Sequence, residues 1–188
     1  MAFAILRAEK LKTMGNIGGS LAHNYRTIDT PNANPSQTPN NFHSLKDSEA
    51  VKAAISERLP EKRRSDAVLC VEYMITASPE WQGWNDERQN EYFKQAVDWL
   101  EQRHGKHNVV ATSIHRDETT PHLIAYVVPL DQDTGRLNAK KFLGGKAKLA
   151  EMQSSFSDHV KNLGLERGVE GSKAKHTRIK EYYAKVNE

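Results

Sequence analysis

The sequence predicts an α+β fold, a central, largely antiparallel β-sheet with helices packed against it, and three observations carry that prediction. Two apolar runs, Val109 to Ile114 and Leu123 to Leu130, flank a polar, Pro-closed turn in the manner of a hairpin. A further run, Ala67 to Ala77, is rich in apolar and β-branched residues. Between such strands lie helical stripes, of which Phe93, Ala96, Val97 and Leu100 at i, i+3, i+4 and i+7 are the clearest. Strands gathered around a hairpin with helices between them form a two-layer sandwich, helices on one face of the sheet.

Taken in order, Phe3 to Arg7 reads as a short strand, and Asn16 to Thr27 as a short helix entered through Gly15-Asn-Ile-Gly18-Gly19. Asp29 to Asn41 holds too much Pro and Asn for regular structure and is expected to be a functional loop. Ser44 can cap a helix running to about Leu59, with Asp47 at the capping-box position and Pro60 as its stop. Asn85 caps a long helix ending near Gly105, and Asp131 to Gly135 is a turn. Leu149, Met152, Phe156, Val160 and Leu163 stripe another helix that stops at Gly164, and a basic helix is expected from Ser172.

At 188 residues, without an internal repeat, one domain over 1–188 is expected. Hydrophobic residues make up 37% and charged residues 27%, and no apolar stretch nears the length needed to span a bilayer. Charge at Arg7 interrupts the amino end too early for a signal peptide, so a cytoplasmic location is expected. Cys70 has no partner for a disulfide and reads as a buried strand thiol. A net charge of +3 and a pI near 8.9 are compatible with nucleic acid. Lys62-Arg63-Arg64 forms one basic cluster, and Lys173, Lys175, His176, Arg178 and Lys180 form another. Either cluster alone is ordinarily a solvated face; with a phosphate-competent metal site they point to DNA or RNA.

That metal site is the hairpin turn, His115-Arg-Asp117-Glu118-Thr-Thr-Pro-His122. Strand alternation puts Ala111, Ser113 and His115 on one face, and His122, Ile124 and Tyr126 on one face of the returning strand. Two imidazoles beside a carboxylate suit Mn²⁺, Mg²⁺ or Zn²⁺, and an ion with open positions can hold a phosphate oxygen. Phosphoryl transfer there needs a nucleophile able to attack in line. In the first helix His23 and Arg26 stand at i, i+3, whereas Tyr25 points roughly 200° away from His23. An unprotonated imidazole attacks phosphorus, and Arg26 would both neutralise phosphate oxygens and keep the His23 ring neutral.

These segments together resemble the MobV-type (Pre/Mob) plasmid mobilisation relaxases. The resemblance rests on Met14-Gly-Asn16-Ile-Gly18-Gly19-Ser-Leu-Ala-His23-Asn24-Tyr-Arg26, Asn40-Asn41-Phe42, Asp66 to Thr76, His115-x-Asp117-Glu118-x-Thr120-Pro121-His122, and Leu165-Glu166-Arg167-Gly168 with Lys175-His176, in the family's order. It implies a relaxase domain of the histidine-hydrophobic-histidine (HUH) endonuclease superfamily, which nicks one strand at an origin of transfer and stays joined to the 5′ phosphate. It also implies His23 as nucleophile, Arg26 and Glu118 beside it in catalysis, and His115, His122 and Glu118 around the divalent ion, with Mn²⁺ or Mg²⁺ expected. Asn24 and Asn41 join Lys62, Arg63, Arg64, Lys173, Lys175, His176 and Arg178 as expected DNA contacts.

Two positions depart from the family pattern. Ile124 stands where the family has another His, so Glu118, Asp117, a water, His43 or His107 must complete the ion's shell, and weaker binding is expected. Phe42 replaces a common Tyr. The expected substrate is single-stranded or supercoiled origin DNA, held by the basic clusters, with Trp81, Trp84, Tyr182 or Tyr183 available to stack on bases, although packing is the favoured role for the tryptophans. The resemblance also allows a coupling protein of a conjugation system as partner, and a further carboxyl-terminal helical region through which the protein dimerises. A rolling-circle replication initiator and a non-catalytic origin-binding protein are the alternatives.

Overall fold

A computed structural model describes residues 1–169. The expected basic helix from Ser172, with Lys173, Lys175, His176, Arg178, Tyr182 and Tyr183, lies outside the described residues. The elements in chain order are β1 (Phe3–Leu11), α1 (Met14–Asn24), β2 (Phe42–His43), α2 (Ser48–Arg58), β3 (Cys70–Ala77), α3 (Arg88–His104), β4 (Val109–His115), β5 (His122–Val127), β6 (Leu130–Asp131), β7 (Arg136–Leu137), α4 (Ala139–Leu143), α5 (Gly145–Val160) and β8 (Glu166–Arg167). Six strands form one sheet in the order β2-β4-β5-β3-β1-β8, antiparallel except where β8 runs parallel to β1. The pair β6 and β7 forms a separate hairpin.

Strand alternation sorts this sheet into two apolar faces, and helices cover both, not the single face expected. Tyr73, Ile75, Leu123 and Ala125 face α3 and α5 through Tyr92, Phe93, Trp99, Met152 and Phe156. Cys70, Ile124, Tyr126 and Ala111 face α1 and α2 through Ile17, Leu21, Val51 and Ile55. The second helix layer reaches only part of its face, because α1 and α2 are 11 residues each. The uncovered part becomes a cleft.

Several boundaries differ from expectation for local reasons. The first helix starts at Met14 because the Thr13 side chain accepts from the Asn16 amide, so the glycines lie inside it. Strand β1 runs on to Leu11 because pairing with β3 serves the backbone of the polar stretch Glu9-Lys10. Asp47, not Ser44, caps α2 by accepting from the Ala50 amide. Ser44 instead exchanges hydrogen bonds with Thr112 at the sheet edge. Helix α3 begins at Arg88, after a short 3₁₀ turn through Asn85. Gly164 follows α5 and its 3₁₀ extension in the left-handed region, φ 76°, where a side chain would be strained.

The tryptophans pack, as favoured: Trp81 donates to the Leu163 carbonyl, Trp84 to that of Ser78, and their rings meet edge to face. Cys70 is buried in β3, and burial pushes its thiol pKa up.

Leu21 is fully buried between α1 and the sheet and fixes the helix that carries His23. Leu21→Ala should lower unfolding free energy by about 3 kcal/mol in urea titration; a loss under about 1 kcal/mol would mean that α1 is not anchored through this residue.

Candidate active site

The β4–β5 register places His115 directly opposite His122, with ring centroids 4.9 Å apart, and Ser113 opposite Ile124. Each ring is held in one tautomer. His122 Nδ1 lies 3.2 Å from the Thr120 carbonyl, an acceptor only, so it carries the proton and leaves Nε2 with a lone pair. His115 Nε2 lies 2.5 Å from Asn24 Oδ1, an acceptor only, so Nε2 carries the proton and Nδ1, 3.1 Å from an Arg26 guanidinium nitrogen, keeps its lone pair. Burial, then His122 and Arg26, push the His115 pKa down to about 3. Two nitrogen lone pairs thus face each other at 3.2 Å.

The turn adds Glu118, whose Oε1 lies 4.0 Å from His115 Nδ1 and 3.9 Å from His122 Nε2. Among the described residues, His115, Glu118 and His122 form the group able to hold a metal ion. A triangle of those sides has its centre about 2.2 Å from each corner, the usual length of a bond from imidazole or carboxylate to a divalent ion. Three nitrogen and oxygen ligand atoms at this spacing fit a cation, and the Arg26 guanidinium already brings positive charge to two of them, Glu118 Oε1 and His115 Nδ1. Of the other expected ligands, Asp117 is turned toward Arg26, His43 is bonded to Ser113 Oγ at 2.7 Å, and His107 is exposed on the 3₁₀ turn before β4. Ile124 fills the remaining place with an apolar side chain.

Arg26 was expected to share a helical face with His23 and does not. The helix ends at Asn24, and Arg26 turns into the left-handed region at φ 57°. Its guanidinium then reaches back to the His23 carbonyl (3.0 Å), both oxygens of Asp117 (2.7 and 2.9 Å) and Glu118 Oε1 (2.7 Å). These acceptors, and not a phosphate, take up its donors, so Arg26 ties the end of α1 to the hairpin turn. Asp117 is completely buried beside it. Burial alone would raise the Asp117 pKa, but hydrogen bonds from Arg26, Thr38 and Asn41 hold it far below the usual carboxylate range.

His23 is half-buried and lines the same cleft as His115, Glu118 and His122. Its imidazole makes no hydrogen bond among the described residues. Desolvation, then the Arg26 charge, lower its pKa below 6.5, so the ring is neutral and its nitrogen lone pair available at neutral pH. Tyr25 points elsewhere, stacked on His43 at 4.2 Å with its hydroxyl on the Leu45 carbonyl. The cleft, about 1230 Å³, runs from these histidines across β3 and β1 to the first turns of α5.

The expected DNA contacts separate. Asn24 is 2% exposed and serves the site from below, accepting from His115 and donating to Ser113 Oγ. Asn41 accepts from the Arg116 amide and closes the 29–41 loop onto the turn. For Asn24 this is a correction, since its side chain is not directed to solvent, whereas Asn41 is only partly buried. Lys62, Arg63 and Arg64 are exposed on the loop before β3, at the opposite end of the sheet from His122. Sequence reasoning missed Asn32, Thr38 and the anchoring role of Asp117. The Pro- and Asn-rich loop folds over the turn, Asn32 donating to Glu118 Oε2 and Thr38 to Asp117 Oδ2. Side-chain amides and hydroxyls in a loop carry no periodicity that would reveal such partners.

Comparison with known proteins defines the class. The fold matches the MobM relaxase domain, in a manganese-bound crystal structure with 22 nucleotides of plasmid pMV158 oriT DNA, at a TM-score of 0.82 and 30% identity, covering 97% of this chain and 99% of that one. It is the fold of a DNA relaxase domain. A family model described as plasmid recombination enzyme (Mob_Pre) matches residues 1–184, and the chain belongs to that family. It is 37% identical to a "65 kDa protein" of Zymomonas mobilis over 98% of its own length and 33% of the relative's. With plasmid recombination enzyme type 3 of Staphylococcus aureus the figures are 32%, 99% and 48%. The chain therefore spans about a third to a half of these relatives.

Asn24 determines which nitrogen of His115 faces Glu118. Asn24→Leu should weaken Mn²⁺ binding about 10- to 100-fold, read by electron paramagnetic resonance of free Mn²⁺, while the hairpin stays folded. Unchanged affinity would show that the tautomer is fixed without it.

Proposed function

We propose that this chain is a metal-dependent DNA relaxase domain that nicks one strand at an origin of transfer through a covalent histidine–5′-phosphate intermediate, and later rejoins strands. The observation that carries the reading is the convergence, in one cleft, of three acceptor atoms sized for a divalent ion with a neutral, unbonded imidazole at His23. The manganese-bound, oriT-bound MobM domain of the same fold supports both the ion and the substrate class.

His115, His122 and Glu118 would hold the divalent ion, Mn²⁺ or Mg²⁺, and when bound it would supply Lewis-acid polarisation of a non-bridging phosphate oxygen. His23 attacks phosphorus in line with the 3′ oxygen. A P–N bond forms, the P–O3′ bond breaks, and the 3′ oxygen leaves as a hydroxyl after taking a proton from solvent. The 5′ phosphate stays on His23, and a 3′ hydroxyl can reverse the step, which restores the imidazole and the diester. Arg26 works from behind, keeping His23 unprotonated and Glu118 in place. Asn32 holds the other Glu118 oxygen.

Incubation with a supercoiled plasmid bearing a candidate origin and Mn²⁺ should give nicked circles and a His23-bearing peptide carrying nucleotide, detected by mass spectrometry. His23→Ala and chelation by EDTA should each abolish both products, and Tyr25→Phe should leave them. Nicking by His23→Ala with none by Tyr25→Phe would assign the nucleophile to the tyrosine. The lowered pKa of His23 also sets the acid limb: its ring protonates only below pH 6.5, so its Cε1–H resonance, identified by its absence in His23→Ala, should titrate below that value. A midpoint above 6.5 contradicts the proposed electrostatics.

A further inference from the structure

The proposed reaction uses only the inner end of the cleft. Its floor continues across three strands, where strand register puts Met74 between Arg7 and Ile124, and Glu72 between Glu9 and Tyr126. Glu72 is half-buried and held in place. The Ser20 hydroxyl donates to its Oε1, and the Tyr126 hydroxyl lies 2.8 Å from Ser20 Oγ. Burial and then Glu9 push the Glu72 pKa up, while hydrogen bonds from the Ser20 and Tyr126 hydroxyls favour the ionised form; with one proton each, these two fill at most two acceptor sites. An ionised carboxylate has about four acceptor sites, and these neighbours cannot fill them.

Arg7, Lys146 and Arg167 bring positive charge to the same cleft, but a carboxylate fixed in its floor repels phosphate at that point, and Glu9 on the neighbouring strand adds to the repulsion. The group that can meet it is the donor edge of a base. Next to Glu72, Met74 and Ile124 are side-by-side apolar side chains lining the same cleft, and side chains two residues apart on β3 stand about 7 Å from each other, within the span of one base. Ile124 takes part here because it is not the histidine of the family pattern.

Resting on the relaxase reading, we propose that this stretch of the cleft is a base-reading subsite in which an unpaired guanine lies against Met74 and Ile124 and donates N1–H and N2–H to Glu72. Guanine alone presents two adjacent donors on its pairing edge. In cytosine and adenine the exocyclic amine sits beside an acceptor nitrogen that would face the carboxylate, and in thymine the single N–H is flanked by two carbonyls. Base contacts of this kind specify sequence, whereas phosphate contacts only position the strand.

Selection from a randomised single-stranded DNA library tests it, using the wild-type protein and Glu72→Gln, each checked for an unchanged melting temperature. Wild type should enrich guanine at one fixed position. Glu72→Gln should reduce that preference at least about tenfold while binding guanine-free strands as well as wild type or better. Ser20→Ala, which frees the carboxylate without removing it, should weaken the preference less. The same guanine preference in Glu72→Gln, or an even loss of affinity for all strands, overturns the subsite. A wild-type protein that nicks plasmid but selects no guanine overturns the subsite and leaves the relaxase reading standing; one that neither nicks nor binds single strands removes both.

Discussion

Two imidazole nitrogens held 3.2 Å apart, one of them also 3.1 Å from the Arg26 guanidinium, are the constraint on which the rest of the site depends. Such an arrangement is repulsive unless a cation or donor lies nearby, and the protein fixes it from every side. The β4–β5 register brings the rings opposite one another, Thr120 and Asn24 set their tautomers, and the turn adds a carboxylate. A one-residue slip of this hairpin would send one histidine to the opposite face of the sheet, into the layer packed under α3 and α5. The apolar alternation of β5 therefore specifies the metal site as firmly as it specifies the core.

Helix α1 and the hairpin are joined by a second constraint, the buried pair Arg26–Asp117. With Asp117 fully enclosed and Arg26 nearly so, neither charge could stand without the other. The pair ends the helix, orients His23 through its carbonyl, and through Thr38 and the Asn34 amide draws the 29–41 loop over the turn. A single guanidinium thus couples the helix that carries His23, the turn that carries Glu118 and the loop. The left-handed backbone of Arg26 is the local strain that this coupling sustains.

How much of this was legible depended on which residues carry a periodic signal. That Ala111, Ser113 and His115 share one face, and His122, Ile124 and Tyr126 one face of the returning strand, followed from strand alternation, and the structure adds the register that pairs them. The stripe of α3 and the stop at Gly164 were equally plain. The relation of Arg26 to His23 was misread, because i, i+3 geometry holds only inside a helix and the helix ends between them. Asn24 was taken for a DNA contact although it follows His23 by one position, a rotation of about 100° that turns it into the core. The two-sided helical cover was hidden because α2 is weakly patterned, with only Val51 and Ile55 buried along its 11 residues.

Electrostatics links the ion to substrate binding as well as to chemistry. Around the candidate nucleophile the fixed charges are one guanidinium against the carboxylates of Asp117 and Glu118, a net negative site that a phosphodiester would avoid. A divalent ion held by the triad would reverse that sign and make the cleft beside His23 attractive to a phosphate. Arg26 cannot supply that charge itself, since its donors are spent on Asp117, Glu118 and the His23 carbonyl. The family's extra histidine would not alter this balance, being neutral as a ligand, so its replacement by Ile124 leaves the electrostatic reversal intact while changing the floor of the cleft from polar to apolar. On the proposed reading, attraction of phosphate would fall to Glu118 and its histidines and recognition of bases to the strands beyond Ile124, at different ends of one cleft.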